Sequence, residues 1–146
     1  MSMKSNTALR RGLAALAFAA LAALFASCNT VPVSVPEDLS AAEIIQKAQE
    51  ASDKYNYNAA RFYYATTRER FGSDPVVSAN CMYELAFISY KQGRHEEARR
   101  GFEELLAFYA RSENETLPST FRILAVKVLA KLPPSKNTKP ETGAVL

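Results

Sequence analysis

A chain of 146 residues, 48% hydrophobic and 23% charged, has the size and apolar content of one small globular domain and falls outside the wholly disordered class. Its formal net charge of +3 resides in the first 27 residues, where Lys4, Arg10 and Arg11 stand without an acid; removing those three of the 18 basic residues leaves fifteen against 15 acidic ones. The remainder is formally neutral, which excludes the basic footprint of a nucleic-acid binder.

In chain order, the basic start is followed by an apolar run of Leu, Ala and Phe over residues 13–26. A basic segment and then a short apolar one read as a secretory signal over residues 1–27. The run is shorter than the roughly 20 residues a helix needs to span a bilayer. It ends in Leu24, Phe25, Ala26, Ser27 and Cys28, which resembles the lipobox of bacterial lipoproteins. That resemblance implies cleavage before Cys28, lipidation of Cys28 (palmitate among the acyl chains) and a membrane anchor. Each buried methylene contributes about 0.8 kcal/mol, so several chains at one residue hold permanently. Residues 28–38 then read as the lipidated Cys and an extended tether, with Pro32 and Pro36 and no glycine. The nine residues from Asn29 to Glu37, at roughly 3.1 Å each, reach on the order of 28 Å.

The folded part is expected over residues 39–132. Ser40 and Glu43 form a capping box, and a first helix runs to about Lys54 with Ile44, Ala48, Ala51 and Tyr55 on one stripe. A turn at residues 55–58 leads to a second helix over 59–71. Asp74 and Pro75 then supply an N-cap and a first helical residue whose missing N–H is harmless. The third helix carries Met82, Leu85, Ala86 and Ser89 at i, i+3, i+4 and i+7. Gly93 stops it, and a fourth helix starts at His95, Glu96 and Glu97, acids suited to a helix N-terminus, with Ala98, Phe102, Leu105 and Leu106 on one face. After a polar loop at 111–116, Pro118 opens a fifth helix to about Leu132. Phe121, Leu124, Ala125, Val128, Leu129 and Leu132 form its core stripe, while Ile123 and Val126 lie off that face. Residues 133–146 are too polar to pack and read as a disordered tail.

Residues 79–110 resemble a tetratricopeptide repeat: Ala86 and Ala98 are small where two helices must approach, and Gly93 lies in the turn. Ser89 stands where that family usually has Tyr, and Met82 where it usually has an aromatic residue. Residues 40–71 repeat the pattern at an offset of 38, pairing Ile44 with Met82, Ala48 with Ala86, Ala60 with Ala98 and Tyr64 with Phe102. The predicted fold is therefore all-α: two tetratricopeptide-like hairpins plus a C-terminal capping helix, a fragment of an α-solenoid. With its lipobox, the chain resembles the tetratricopeptide lipoprotein of the outer-membrane β-barrel assembly machine and related periplasmic proteins. That resemblance implies an outer-membrane location facing the periplasm and a scaffold for protein–protein interaction.

Catalytic residues, metal ligands and cofactor-binding residues are not expected: one His, two Cys and no glycine-rich phosphate loop leave no convergent set. His95 reads as packing against a turn, and Cys81 as a small apolar core residue or a thiol for an intermolecular disulfide. Arg61, Arg68 and Arg70 read as a solvated face. In the repeat family the first helix of each hairpin lines the concave face, which places Asn80, Tyr83, Phe87, Tyr90 and Lys91 there. Tyr83, Phe87 and Tyr90, with Ile123 and Val126 on the fifth helix, are the expected partner-binding residues. The rings can instead pack beneath the fifth helix. The occupant expected is an envelope protein, an extended peptide or a second copy of the chain. The other function considered is a binding module for a small apolar ligand associated with a transporter, which requires a cavity.

Overall fold

The computed structural model describes residues 34–111 and 117–135. The predicted signal segment, Cys28, most of the predicted tether, the loop at 112–116 and residues 136–146 lie outside them. Among the described residues the fold is all-α, with no strand: α1 (Ala41–Asp53), α2 (Tyr57–Phe71), α3 (Pro75–Lys91), α4 (His95–Arg111) and α5 (Ser119–Leu129). Each helix packs chiefly on its neighbours in the chain, and α5 reaches back over both α4 and α3. The result is two consecutive helical hairpins closed by one further helix.

The helix starts follow from local chemistry. Ser40 Oγ accepts from the Glu43 amide, and Glu43 Oε2 accepts from the Ser40 amide at 2.9 Å, so the capping box is complete. Asp74 Oδ1 accepts from the amides of Val76 at 2.8 Å and Val77 at 3.3 Å, with Pro75 behind it in the first helical position. Asn56 Oδ1 accepts from the Ala59 amide at 3.2 Å, so α2 begins at Tyr57, two residues ahead of the predicted start.

Both hairpins turn in the same way. After α1, the Tyr55 amide donates to Ser52 O and the Asn56 amide to Ala51 O; after α3, Gly93 donates to Tyr90 O and Arg94 to Ser89 O. This pattern of one short and one long return bond closes a helix through a left-handed residue. Gly93 takes that role with φ 71°, and Tyr55 takes it 38 residues earlier with φ 58°. The predicted placement of Tyr55 on the core stripe of α1 is therefore corrected. In the left-handed conformation its side chain leaves the helix axis, and it is 79% exposed.

The register of the two repeats holds in the packing. Ile44 and Met82, Ala48 and Ala86, Ala60 and Ala98, and Tyr64 and Phe102 are all buried. One apolar cluster joins Ala48, Ala60 and Tyr64 of the first hairpin to Cys81 and Ile88 of α3. The other joins Met82, Ala86, Ala98, Phe102 and Leu105 of the second hairpin to Ala125, Val128 and Leu132. Fully burying side chains of the Leu, Ile or Phe class contributes about 1.5–3 kcal/mol each, so these layers dominate the cohesion of the fold.

The closing helix is shorter than predicted. Regular α-helix ends at Leu129, and Ala130 to Leu132 continue in a tighter turn, with Lys131 donating to Val128 O and Leu132 to Leu129 O. Leu132 is nevertheless buried, as its place in the stripe requires. Leu124, predicted on the core face, is instead exposed at 36%, because α5 turns its Ala125 and Val128 edge to the hairpin. Both predicted free ends are partly held. Arg70 donates to Val35 O and Pro36 O, each at 2.7 Å, and Val35 is buried. Arg99 donates to Pro133 O, and Ser135 Oγ donates to Glu96 Oε2 at 3.1 Å.

Candidate functional site

Spacing of i, i+4 and i+7 puts Tyr83, Phe87 and Tyr90 on one line of α3. Their rings stack along it: Tyr83 and Phe87 lie 5.6 Å apart at 17°, and Phe87 and Tyr90 5.8 Å apart at 21°. The ladder continues beyond α3 at both ends. Tyr83 meets Phe102 of α4 and Phe121 of α5, each at 5.7 Å, and Tyr90 meets His95 at 6.4 Å. Lys91 Nζ sits 5.1 Å from the centroid of the Phe87 ring, within the range of a cation–π contact.

The ladder is divided between core and surface. Tyr83 is only 7% exposed and belongs to the second apolar cluster. Its burial beneath Phe121 answers the question the sequence leaves open: α5 covers the Tyr83 end of the strip. Burial first, and then Glu84, push its hydroxyl above the usual tyrosine range. Phe87 and Tyr90 pack against the same cluster but remain half-buried. Of the three rings, these two can meet a partner without unfolding the hairpin. Glu84 lies half-buried on the same helix, its carboxyl raised by burial against the opposing pull of Lys91.

The other two sequence-predicted contact residues lie on α5 and are open to solvent: Ile123 is 47% exposed and Val126 52%. They do not join the aromatic ladder, and Leu124 lies about 100° round the helix from Ile123.

A polar clamp between the hairpins was not anticipated. Arg61 of α2 donates to Ser89 Oγ of α3 at 2.6 Å and pairs with Glu97 Oε1 of α4 at 3.1 Å, while Arg94 pairs with Glu97 Oε2 at 3.0 Å. The Ser89 hydroxyl proton lies within reach of Leu85 O at 3.1 Å and Glu97 Oε1 at 3.2 Å. Burial of the guanidinium and the nearby Arg94 lower the Arg61 pKa, and Glu97 works against them. Arg68 pairs with Glu104 at 3.3 Å further along the same crossing. Arg61, Arg68, Ser89, Glu97 and Glu104 line a cleft of about 250 Å³ with Met82 and Gly101. One signal for it was present in the sequence. Ser89 is a small polar residue on the buried stripe of α3, and its hydroxyl accepts from the Arg61 head group.

Cys81 is buried and unpaired among the described residues, and desolvation pushes its thiol up to about 11. No group of three or more His, Cys, Asp or Glu residues among the described ones is placed to hold a metal ion. No helix among them is long and apolar enough to cross a membrane.

Comparison with known proteins adds one relative. A protein of Treponema pallidum (strain Nichols), described only as an uncharacterized protein, is 31% identical over 124 residues, covering 83% of this chain and 50% of the relative. The chain thus spans about half the length of the curated relative it matches. No family model matches the chain, and no solved structure does.

Proposed function

We propose that this chain is a lipid-anchored scaffold of the bacterial cell envelope that faces the periplasm and binds a protein or extended peptide across Phe87 and Tyr90. The observation that carries the reading is the half-buried end of the aromatic ladder with Lys91 beside it. Stacked rings with one exposed edge offer a large apolar contact at small entropic cost, and aromatic residues are enriched among interface hot spots. The tether and a lipid on Cys28 would hold this surface near a membrane, and the resemblance to envelope tetratricopeptide lipoproteins suggests outer-membrane protein assembly as its setting. An apolar-ligand module is the weaker reading, because the cleft beside the Arg61 clamp is lined by Arg68, Glu97, Arg100 and Glu104 and suits polar contacts.

The test is a photo-cross-linking residue at Tyr90 in the native cell, against the same residue at the exposed Tyr55. A discrete protein adduct is expected from position 90 and not from position 55. Phe87→Ala should weaken that capture by about 1–2 kcal/mol, roughly ten-fold, with the fold retained. Tyr83→Ala, in contrast, removes a core ring and should destabilise the domain by about 3–5 kcal/mol. Indistinguishable adducts at positions 90 and 55, or capture unaffected by Phe87→Ala, would remove the proposed contact surface.

A further inference from the structure

The exposed side of α5 is unlike any other surface among the described residues. Of their five exposed large hydrophobic side chains, three, Ile123, Leu124 and Val126, fall within four positions of this helix. The charge of the segment that carries them is one-sided. Residues 117–135 contain Arg122, Lys127 and Lys131 and no acid, whereas residues 34–111 hold twelve acids against ten basic residues. On the helical wheel Ile123 and Val126 lie opposite the buried Ala125 and Val128, with Arg122 to one side and Lys127 to the other. Among the described residues none of the three cations is in an ion pair.

We propose that this face of α5 docks on an anionic phospholipid surface, with Ile123 and Val126 entering the headgroup boundary and Arg122, Lys127 and Lys131 meeting lipid phosphates. Apolar residues flanked by cations on one side of a surface helix are the pattern that interfacial binding selects. A second copy of the chain fits less well. A two-fold pairing sets each patch against itself, which would bring six cations together with no acid in residues 117–135 to offset them. The patch also lacks the aromatic anchors of a protein hot spot, offering the aliphatic Ile123 and Val126 instead. Because the inner side of α5 is committed to α3 and α4, the helix lies along the membrane and does not cross it. Such docking would orient the hairpins relative to the bilayer. It is independent of lipidation at Cys28 and of the Phe87–Tyr90 strip, and goes beyond the scaffold reading.

The chain contains no Trp, so Ile123→Trp in the full chain is a single reporter of the environment at this face. Its emission should shift to the blue on adding phosphatidylcholine vesicles that contain phosphatidylglycerol, and not with phosphatidylcholine alone. The shift should weaken as salt is raised. Combining Arg122→Gln, Lys127→Gln and Lys131→Gln should reduce vesicle partition on the order of 100-fold, about five-fold per charge. Val126→Trp repeats the measurement one turn further on. Tyr55→Trp, on the first hairpin, should not respond, which separates docking by α5 from any attachment through the basic leader. A shift that grows with protein concentration in the absence of vesicles overturns the proposal in favour of a second copy. No shift with anionic vesicles, or a full shift in the charge-neutralised variant, overturns it as well.

Discussion

Gly101 lies in the middle of α4, where glycine ordinarily weakens a helix by about 0.5–1 kcal/mol relative to alanine. On propensity alone, Gly101→Ala should stabilise the protein. The packing predicts the opposite, because a Cβ at this position would sit 2.8 Å from the Cβ of Ala86 and 3.3 Å from its Cα. Non-bonded carbons rest at about 3.5–4.0 Å, so α3 and α4 would have to separate by roughly 1 Å. Overpacking a close crossing costs about 1–3 kcal/mol, which outweighs the propensity gain and leaves a net loss of about 1–2 kcal/mol. For a domain of this size that lowers Tm by about 4–8 °C per kcal/mol. Ala86→Gly alone should lose about 2 kcal/mol, from one buried methyl and the helix preference for alanine. The double variant moves the methyl from α3 to α4. Its propensity terms cancel, and it should lie within about 1 kcal/mol of the parent, a coupling of about 2–3 kcal/mol. Denaturant and thermal unfolding followed by far-ultraviolet circular dichroism measure all three. If Gly101→Ala melts at or above the parent, or if the two changes simply add, the Ala86–Gly101 contact does not set the hairpin spacing.

Tyr55→Gly should stabilise the protein by about 0.5–1 kcal/mol, since a left-handed side-chain residue costs roughly 1–2 kcal/mol and glycine returns part of that as unfolded-chain entropy. Gly93→Ala at the equivalent turn should destabilise by about 1 kcal/mol or more, and equal responses at the two positions in chemical denaturation would contradict the assignment. Cys81 makes stability depend on alkaline pH. Its thiol titrates near its ordinary 9.0 when unfolded and at about 11 when folded, so the folded state keeps its proton longer, and stability is full below pH 9.0 and falls as pH rises through about 11. The loss attributable to this group is about 2–3 kcal/mol; Cys81→Ala should remove that part of the slope, and an unchanged slope would exclude the thiol as its source. Finally, Cys28→Ala should release the protein from the membrane fraction, and full retention with unaltered leader processing would argue against lipidation.

The sequence by itself determined the elements and their pairing, because the signals that do so are local. The Ser40–Glu43 box, the Asp74–Pro75 start and the Gly93 stop act over three or four residues, and the 38-residue offset identifies which buried positions correspond. Apolar period alone also placed Ile123 and Val126 off the core face, where they are found. Tertiary structure decided what depends on how far apart two helices sit and on which side a helix presents. Tyr55 reads as a core residue by spacing, but the left-handed turn swings it into water. Tyr83, Phe87 and Tyr90 form a single stripe in sequence, and only the seating of α5 buries the first while leaving the other two half-buried. Arg61 looks like one more surface cation until α3 and α4 bring Ser89 and Glu97 to its guanidinium. A helical repeat specifies its own turns and stripes through neighbours in the chain. The contacts of Arg61 across the hairpins join residues 28 and more positions apart, and their geometry exists only once the helices have packed.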